Sequence, residues 1–110
     1  MRGVYWLPEG VLSADFNRDG TYDLAAAGLK PPDITGKGGA VHVLVLPTGT
    51  AKPLHAAVPI ANGGLCAAPI ETRVEYSDND RPRLAIDDGA CDAFRFYITG
   101  EPQRLAYERN

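Results

Sequence analysis

The stretch that decides the fold is DFNRDGTYDL, at residues 15–24. Oxygen-bearing side chains occupy positions 1, 3, 5 and 9 of this stretch, and a glycine at position 6 permits a sharp turn. The seventh residue would add its backbone carbonyl. Calcium takes six to eight oxygen ligands, so this spacing predicts a Ca²⁺ site. Its expected ligands are Asp15, Asn17, Asp19, Thr21 and Asp23.

The flanks of this loop indicate strands and not the two helices of an EF-hand. An EF-hand needs a bidentate Glu at the twelfth position, which here is Ala26. The apolar runs at 11–14 and 24–28 are too short for capped helices, so we expect a β-hairpin around the loop. An ordinary acidic turn without metal is the alternative, because Asn, Asp and Gly all favour turns.

Residues 15–25 resemble a known repeat. The sequence DFNRDGTYDLA is similar to the core D-F-N-G-D-G-x-x-D-L-A of the FG-GAP/VCBS repeats, which occur in integrin-like β-propellers and many bacterial surface proteins. The resemblance implies calcium held between two strands of a blade, with Asp15, Asn17, Asp19 and Asp23 as ligands. Arg18 departs from the family's glycine, but its side chain should point away from the metal.

Length and composition favour one small β-domain spanning residues 1–110. The chain has 12 glycines and 9 prolines, which implies many turns and short strands. A net charge of −3 argues against nucleic acid as a partner. No apolar run reaches the length of a membrane span. The chain opens without a signal peptide, so export would require that a leader had been removed.

Alternating and apolar runs predict an all-β fold of about eight short antiparallel strands. They lie near residues 4–7, 11–14, 22–27, 41–46, 54–60, 70–76, 84–87, 94–98 and 105–108, the first being a strand or an arm that stops at Pro8. The run at 41–46 is β-branched and apolar on both faces, which predicts a central strand. Pro59 predicts an edge strand.

The chain also shows a weak internal duplication, approximately 11–60 and 70–108, with Leu24-Ala25 recurring as Leu84-Ala85. Chance similarity between two hairpins is the alternative. The second acidic turn lacks the glycine and has Arg83 where the metal loop has Asp23, so we expect one calcium site. Two units cannot close a propeller. We therefore expect two blade-like sheets in a small sandwich or partial propeller, or a homodimer through open sheet edges.

The two cysteines, Cys66 and Cys91, suggest a disulfide, since a pair in an exported protein is usually bonded. Two reduced thiols in a cytosolic protein are the alternative. A calcium loop favours the periplasm or the extracellular space, where calcium is millimolar. A Cys–His metal site is not expected, because His42 and His55 have no C-x-x-C partner.

No catalytic pattern stands out, and we expect a protein that is not an enzyme. Asp87, Asp88 and Asp92 could form carboxylate pairs, but a solvated turn around a glycine is the simpler interpretation. There is no nucleophile motif, and the glycine-rich stretch at 36–39 lacks the Ser/Thr and helix of a phosphate loop.

These observations predict an exported, calcium-binding module for a protein partner. A sharper version of this hypothesis is an inhibitor or immunity partner of a lysozyme-like or other hydrolase. Loops 29–39 or 87–92 would insert into the partner, and acidic residues would steer a basic one. One alternative is a structural repeat unit of a larger surface or adhesin-type propeller. Another is a carbohydrate-binding module using Tyr5, Trp6 and Tyr97, although we expect most of these aromatic residues to be buried.

Overall fold

The structure is a computed structural model that describes residues 3–31, 35, 39–48, 52–59, 70–87, 93–100 and 102–109, with only the backbone at 8–10. These residues form eight strands and no helix, which confirms the all-β prediction. No helix in this part of the chain has the length and hydropathy needed to cross a membrane. The strands are β1 (Tyr5–Ala14), β2 (Asp23–Lys30), β3 (Ala40–Leu46), β4 (Leu54–Pro59), β5 (Glu71–Tyr76), β6 (Pro82–Asp87), β7 (Ala93–Thr99) and β8 (Arg104–Arg109).

The strands make two antiparallel sheets, each a meander of four consecutive strands. The first sheet has the order β1-β2-β3-β4 and the second β5-β6-β7-β8. The outer strands of the two sheets approach each other in pairs, β1 beside β5 and β4 beside β8. This arrangement confirms the two predicted sheets and is consistent with a small all-β sandwich.

A single hydrophobic core joins the sheets, because each strand alternates inward and outward side chains. The first sheet contributes small and β-branched residues, and the second contributes larger ones. Each fully buried large side chain stabilises the fold by about 1.5–3 kcal/mol. The shared core includes Val41, Val43 and Val45 from β3, Leu84 and Ile86 from β6, and Phe94, Phe96 and Ile98 from β7.

Strand β3 lies inside its sheet, as predicted, and only its inner face is buried. Its burial alternates, and Leu46 is 45% exposed on the outer face. Because the other sheet covers only the inner face, the outward residues have no layer over them. The prediction that β4 is an edge strand is confirmed, since β4 and its terminal Pro59 lie at one side of the first sheet.

Strand β1 is longer than predicted. It runs through Pro8 without ending there, because an outer strand tolerates a residue that cannot donate a ladder hydrogen bond. Its pairing with β2 is irregular between Trp6 and Val11. Beside this irregularity the Trp6 ring lies on Gly28, where an added Cβ would come within 2.9 Å of Trp6 Cε3. A larger residue at 28 would displace the indole.

The outer faces of the two sheets differ in chemistry. That of the first sheet exposes large apolar side chains, with Val11 54%, Leu24 52% and Leu46 45% exposed. That of the second carries ion pairs, of which Arg73 Nε–Glu75 at 2.7 Å and Arg95 Nε–Glu75 at 2.8 Å are the shortest. We call these surfaces the apolar face and the charged face.

The predicted duplication has a structural counterpart in the two meanders, although the fold does not test common ancestry. Leu24 points outward and Leu84 points into the core, so aligning these two residues matches opposite faces. Aligning Ala25 with Leu84 matches inward residues instead, because a one-residue slip exchanges the faces of a strand. In that alignment the counterpart of Asp23 is Pro82.

Candidate metal centre

The predicted metal loop connects β1 to β2 at one end of the first sheet. The two strands are last paired at Ala14 and Asp23, and the loop spans the residues between them. Phe16 is only 2% exposed and belongs to the core, so it anchors the start of the loop. The Phe16 N–H donates to the Ala14 carbonyl at 3.0 Å, and the Arg18 N–H donates to that of Asp15 at 3.2 Å.

Carboxylates and backbone N–H groups organise the loop. The Asp15 carboxylate accepts hydrogen bonds from the N–H groups of Asp19 at 3.0 Å and Gly20 at 2.9 Å. Asp19 Oδ1 in turn accepts from the backbone N–H of Thr21 at 2.9 Å and from its hydroxyl at 2.8 Å. Asn17 Oδ1 shares the Asp19 N–H at 3.3 Å. Such bonds fix an Asx-type turn.

Asp23 is the buried member of the set. It is 0% exposed, and its Oδ2 accepts the Asn17 N–H at 3.3 Å. Its Oδ1 accepts the Thr48 N–H at 3.2 Å, and Thr48 Oγ1 donates to the Tyr22 carbonyl. The same carboxylate therefore connects the β1–β2 loop with the segment that follows β3. A buried carboxylate is tolerated only when hydrogen bonds replace its lost hydration, and these two provide that replacement.

Hydrogen bonding lowers the pKa of the Asp19 carboxyl, chiefly through the backbone N–H of Thr21 and next through the Thr21 hydroxyl. A carboxyl whose pKa is lower in the folded state favours folding above its unfolded pKa. That contribution is lost as the pH falls through the lowered value. Because Asp19 is exposed, water screens the effect and the contribution is small.

The loop backbone turns through left-handed conformations at two positions. Gly20 has φ of 92° and Arg18 has φ of 61°. Glycine adopts such angles without steric cost, which explains its presence at 20. Arg18 is exposed, as expected for a side chain directed away from the loop interior.

The donor set fits a hard cation. Three carboxylates, an amide oxygen and a backbone carbonyl are the ligand types that calcium prefers. The Asp15 and Asp23 oxygens that each accept one N–H retain a second lone pair, whereas Asp19 Oδ1 already accepts two hydrogen bonds. In the described part of the chain, however, no group of three or more His, Cys, Asp or Glu side chains is arranged around one point. Calcium binding would therefore require the loop carboxylates to exchange some of these hydrogen bonds for the cation, and the site remains a prediction.

The corresponding turn of the second sheet is built differently. Here the Ser77 hydroxyl accepts the Arg81 N–H at 3.2 Å, and the Asp80 N–H donates to the Ser77 carbonyl at 2.8 Å. The carboxylates of Asp78 and Asp80 are exposed at the turn. Buried Pro82 occupies the first strand position, which Asp23 has in the first sheet. The expectation of a single calcium site therefore rests on the first loop alone.

Several other predicted residues lie apart from this loop. Asp87 pairs with Arg73 at 3.3 Å on the charged face, which makes it part of an ion-pair network. Its proposed companions Asp88 and Asp92, like Cys66 and Cys91, lie outside the described residues, so the carboxylate pairs and the disulfide remain predictions.

The aromatic residues proposed for carbohydrate binding do not form one platform. Tyr5 is 69% and Trp6 37% exposed, so the expectation that these side chains are buried is wrong. Both residues lie on β1, which is an outer strand of the first sheet. Tyr97 belongs to the other sheet, where the Arg81 guanidinium stacks over its ring at 5.2 Å.

Sequence reasoning missed the approach of the two histidines. His42 Nδ1 and His55 Nε2 are 2.9 Å apart on the apolar face. The sequence does place the two histidines on consecutive predicted strands, 41–46 and 54–60. The register that brings them together could not be read from the sequence.

Comparison with known proteins adds no assignment. No protein-family model matches the chain, and no similar curated protein or solved structure was found. The interpretation of the loop therefore depends on its own residues.

We predict that Asp23→Asn destabilises the protein although the side chain keeps its shape. One oxygen would still accept an N–H, but the new amide group would face the other N–H. A buried donor without an acceptor costs about 1–3 kcal/mol. Thermal unfolding should show the loss as a lower Tm. The control is Asp78→Asn, which alters an exposed turn and should change stability by less than about 0.5 kcal/mol. Equal melting temperatures for the two variants would contradict the role of Asp23.

Proposed function

We propose that this chain is an exported, calcium-binding β-domain that binds a protein partner through the apolar face of its first sheet. One observation carries the proposal: large apolar side chains are exposed together on that face, beside the candidate calcium loop. Exposed apolar patches on small proteins mark interaction surfaces.

Cross-strand pairing makes the apolar face continuous near the loop. Leu24 pairs with Leu46, and Ala26 pairs with both Val11 and Leu44. These side chains point to the same side because directly paired residues share a face. The paired residues Leu24, Leu46, Ala26, Val11 and Leu44 are all apolar. The core of a protein–protein interface is also depleted of charged residues. The charged face, whose side chains already pair with one another, has a weaker claim to this role.

Calcium would act on this surface by fixing the loop. Tyr22 is 70% exposed and lies between the predicted ligands Thr21 and Asp23. Its carbonyl already accepts the Thr48 hydroxyl. A cation that ordered the neighbouring ligands would further restrict Tyr22 and Leu24. Partner binding would then lose less conformational entropy, which raises affinity.

For the partner we favour a hydrolase of the lysozyme type, which such a domain would inhibit or neutralise. The net charge of −3 supports attraction to a basic enzyme surface. The candidate insertion loops, 29–39 and 87–92, lie largely outside the described residues. Export to the periplasm or beyond follows from the calcium proposal, because weak calcium sites are filled there. The proposed Cys66–Cys91 disulfide would suit the same compartment.

The other candidates have less support. The outer strands of the two sheets lie beside one another, which disfavours the open edges needed for a propeller repeat or an edge-to-edge homodimer. A carbohydrate-binding role has one observation in its favour, the exposure of Tyr5 and Trp6 on β1. Such rings can stack on sugar faces, and this role is our second candidate.

We predict that calcium raises the Tm of the untagged protein and that Asp19→Ala abolishes most of this rise. At a hundredfold excess over Kd, a ligand specific for the folded state adds about 2.7 kcal/mol. For a domain of this size the rise is roughly 10 °C. Thermal melts in millimolar calcium and in chelator measure it. Asp78→Ala is the matched control and should respond like the wild type. A wild-type Tm that is identical in calcium and chelator would refute the calcium site.

We predict further that a partner depends on the apolar face. In calcium, immobilised wild-type protein should retain a protein from cell-envelope extracts, and the Leu24→Asp/Leu46→Asp variant should not. Glu71→Lys on the charged face should retain it unchanged. Recovery of a cell-wall hydrolase would support the inhibitor form of the proposal. Equal retention by all three proteins, or by none, would contradict a binding role for this face.

A further inference from the structure

The two histidines form a pair that the calcium proposal does not use. The chain has only 2 histidines, His42 in β3 and His55 in β4. His42 pairs with Ala57 and His55 with Leu44, so the histidines are diagonal neighbours on the apolar face. Their rings are stacked, with centroids 5.1 Å apart and an angle of 17° between the planes.

The distance between the two facing nitrogens has a chemical meaning. His42 Nδ1 and His55 Nε2 are 2.9 Å apart. Two imidazole nitrogens, each about 2.0–2.1 Å from a metal, are about 2.9 Å apart when they subtend a right angle. In a tetrahedral site the separation is roughly 3.3 Å. The observed distance is that of an N–H···N hydrogen bond, and it also places both nitrogens within reach of one metal ion.

Metal binding requires both imidazoles in the neutral form, with a lone pair free on each facing nitrogen. Without a metal, the two nitrogens share a proton in a hydrogen bond. An exposed bond of this kind adds little stability because water competes for it.

We propose that His42 and His55 bind a divalent transition metal, with water completing the coordination. Copper is the preferred ion, because the general order of affinities places Cu²⁺ above Ni²⁺ and Zn²⁺. Calcium and magnesium would not bind to this pair, because they prefer oxygen ligands. His42 lies four residues from Leu46, the loop end of β3, or about 13 Å along the strand. The histidine site is thus separate from the candidate calcium loop.

The single tryptophan provides a built-in reporter for this site. Trp6 pairs with Gly28, and Gly28 pairs with His42, so one strand separates the indole from the histidine. Two strand spacings place them about 10 Å apart. Cu²⁺ and Ni²⁺ have partly filled d shells and quench a nearby indole, whereas Zn²⁺ has a filled shell and does not.

The test uses the untagged protein titrated separately with Cu²⁺, Ni²⁺, Zn²⁺ and Ca²⁺. Calorimetry measures binding, fluorescence measures quenching of Trp6, and electron paramagnetic resonance identifies the ligands of Cu²⁺. We expect one equivalent of Cu²⁺ to bind with two histidine nitrogens, to quench Trp6, and to bind more tightly than Ni²⁺ or Zn²⁺. Calcium should not compete with it.

Two single variants locate the site. His42→Gln and His55→Gln should each weaken Cu²⁺ binding at least tenfold, and a melting curve in chelator verifies that each variant is folded. Asp19→Ala, the calcium-loop variant, should bind Cu²⁺ like the wild type, so this result is independent of the calcium proposal. Copper binding that survives both histidine substitutions, or an absence of binding at micromolar metal, would overturn the inference.

Discussion

The first sheet depends on one buried carboxylate. Asp23 is the only fully buried charged side chain among the described residues, and it lies at the first position of β2. Its two oxygens accept backbone N–H groups from the preceding loop and from the segment after β3. Burial of an unpaired carboxylate would be costly, so the loop must adopt the conformation that supplies these donors. This requirement positions the Asn17 backbone and Thr48, whose hydroxyl in turn contacts the Tyr22 carbonyl.

Ion pairs cover much of the outer surface of the second sheet. Glu75 accepts from both Arg73 and Arg95, and hydrogen bonding to Arg95 is the main reason why its pKa is lowered. Arg83 approaches Glu108 at 3.4 Å on the same side. Partly exposed pairs of this kind contribute little stability individually. The network is not fully satisfied, because Arg83 Nε is buried without a hydrogen-bond partner in the described part of the chain. Among the described residues no ion pair lies on the apolar face of the first sheet, and that contrast directs the functional proposals to the first sheet.

Much of the fold could be predicted because its periodicity is local. The alternation of β3 and β7, the hairpin around residues 15–24 and the edge position of Pro59 all follow from side-chain spacing and turn chemistry. Burial was less predictable. A strand that is apolar on both sides, such as β3, suggests a second covering layer, but only the packing of the sheets decides whether one exists. The exposure of Tyr5 and Trp6 shows the same dependence on what the neighbouring layer covers.

The calcium loop and the histidine pair also differ in how far the sequence predicts them. The oxygen ligands of the loop are close in sequence, so their pattern was visible, and only the burial of Asp23 and its bond to Thr48 required the structure. The histidine pair depends on the register between β3 and β4, where a one-residue shift would place His55 on the other face. No local pattern encodes that register. Long-range pairing thus accounts for what the sequence left undetermined.

Amide hydrogen exchange followed by NMR tests the central role of Asp23 most directly. The N–H groups of Asn17 and Thr48 belong to loop and turn residues, which usually exchange rapidly unless they are hydrogen-bonded. If both donate to the Asp23 carboxylate, they should exchange at least roughly tenfold more slowly than in an unstructured peptide, and this protection should disappear in Asp23→Ala while the strand amides remain protected. Exchange of both amides at unstructured rates in the wild type would show that Asp23 does not hold the two segments together.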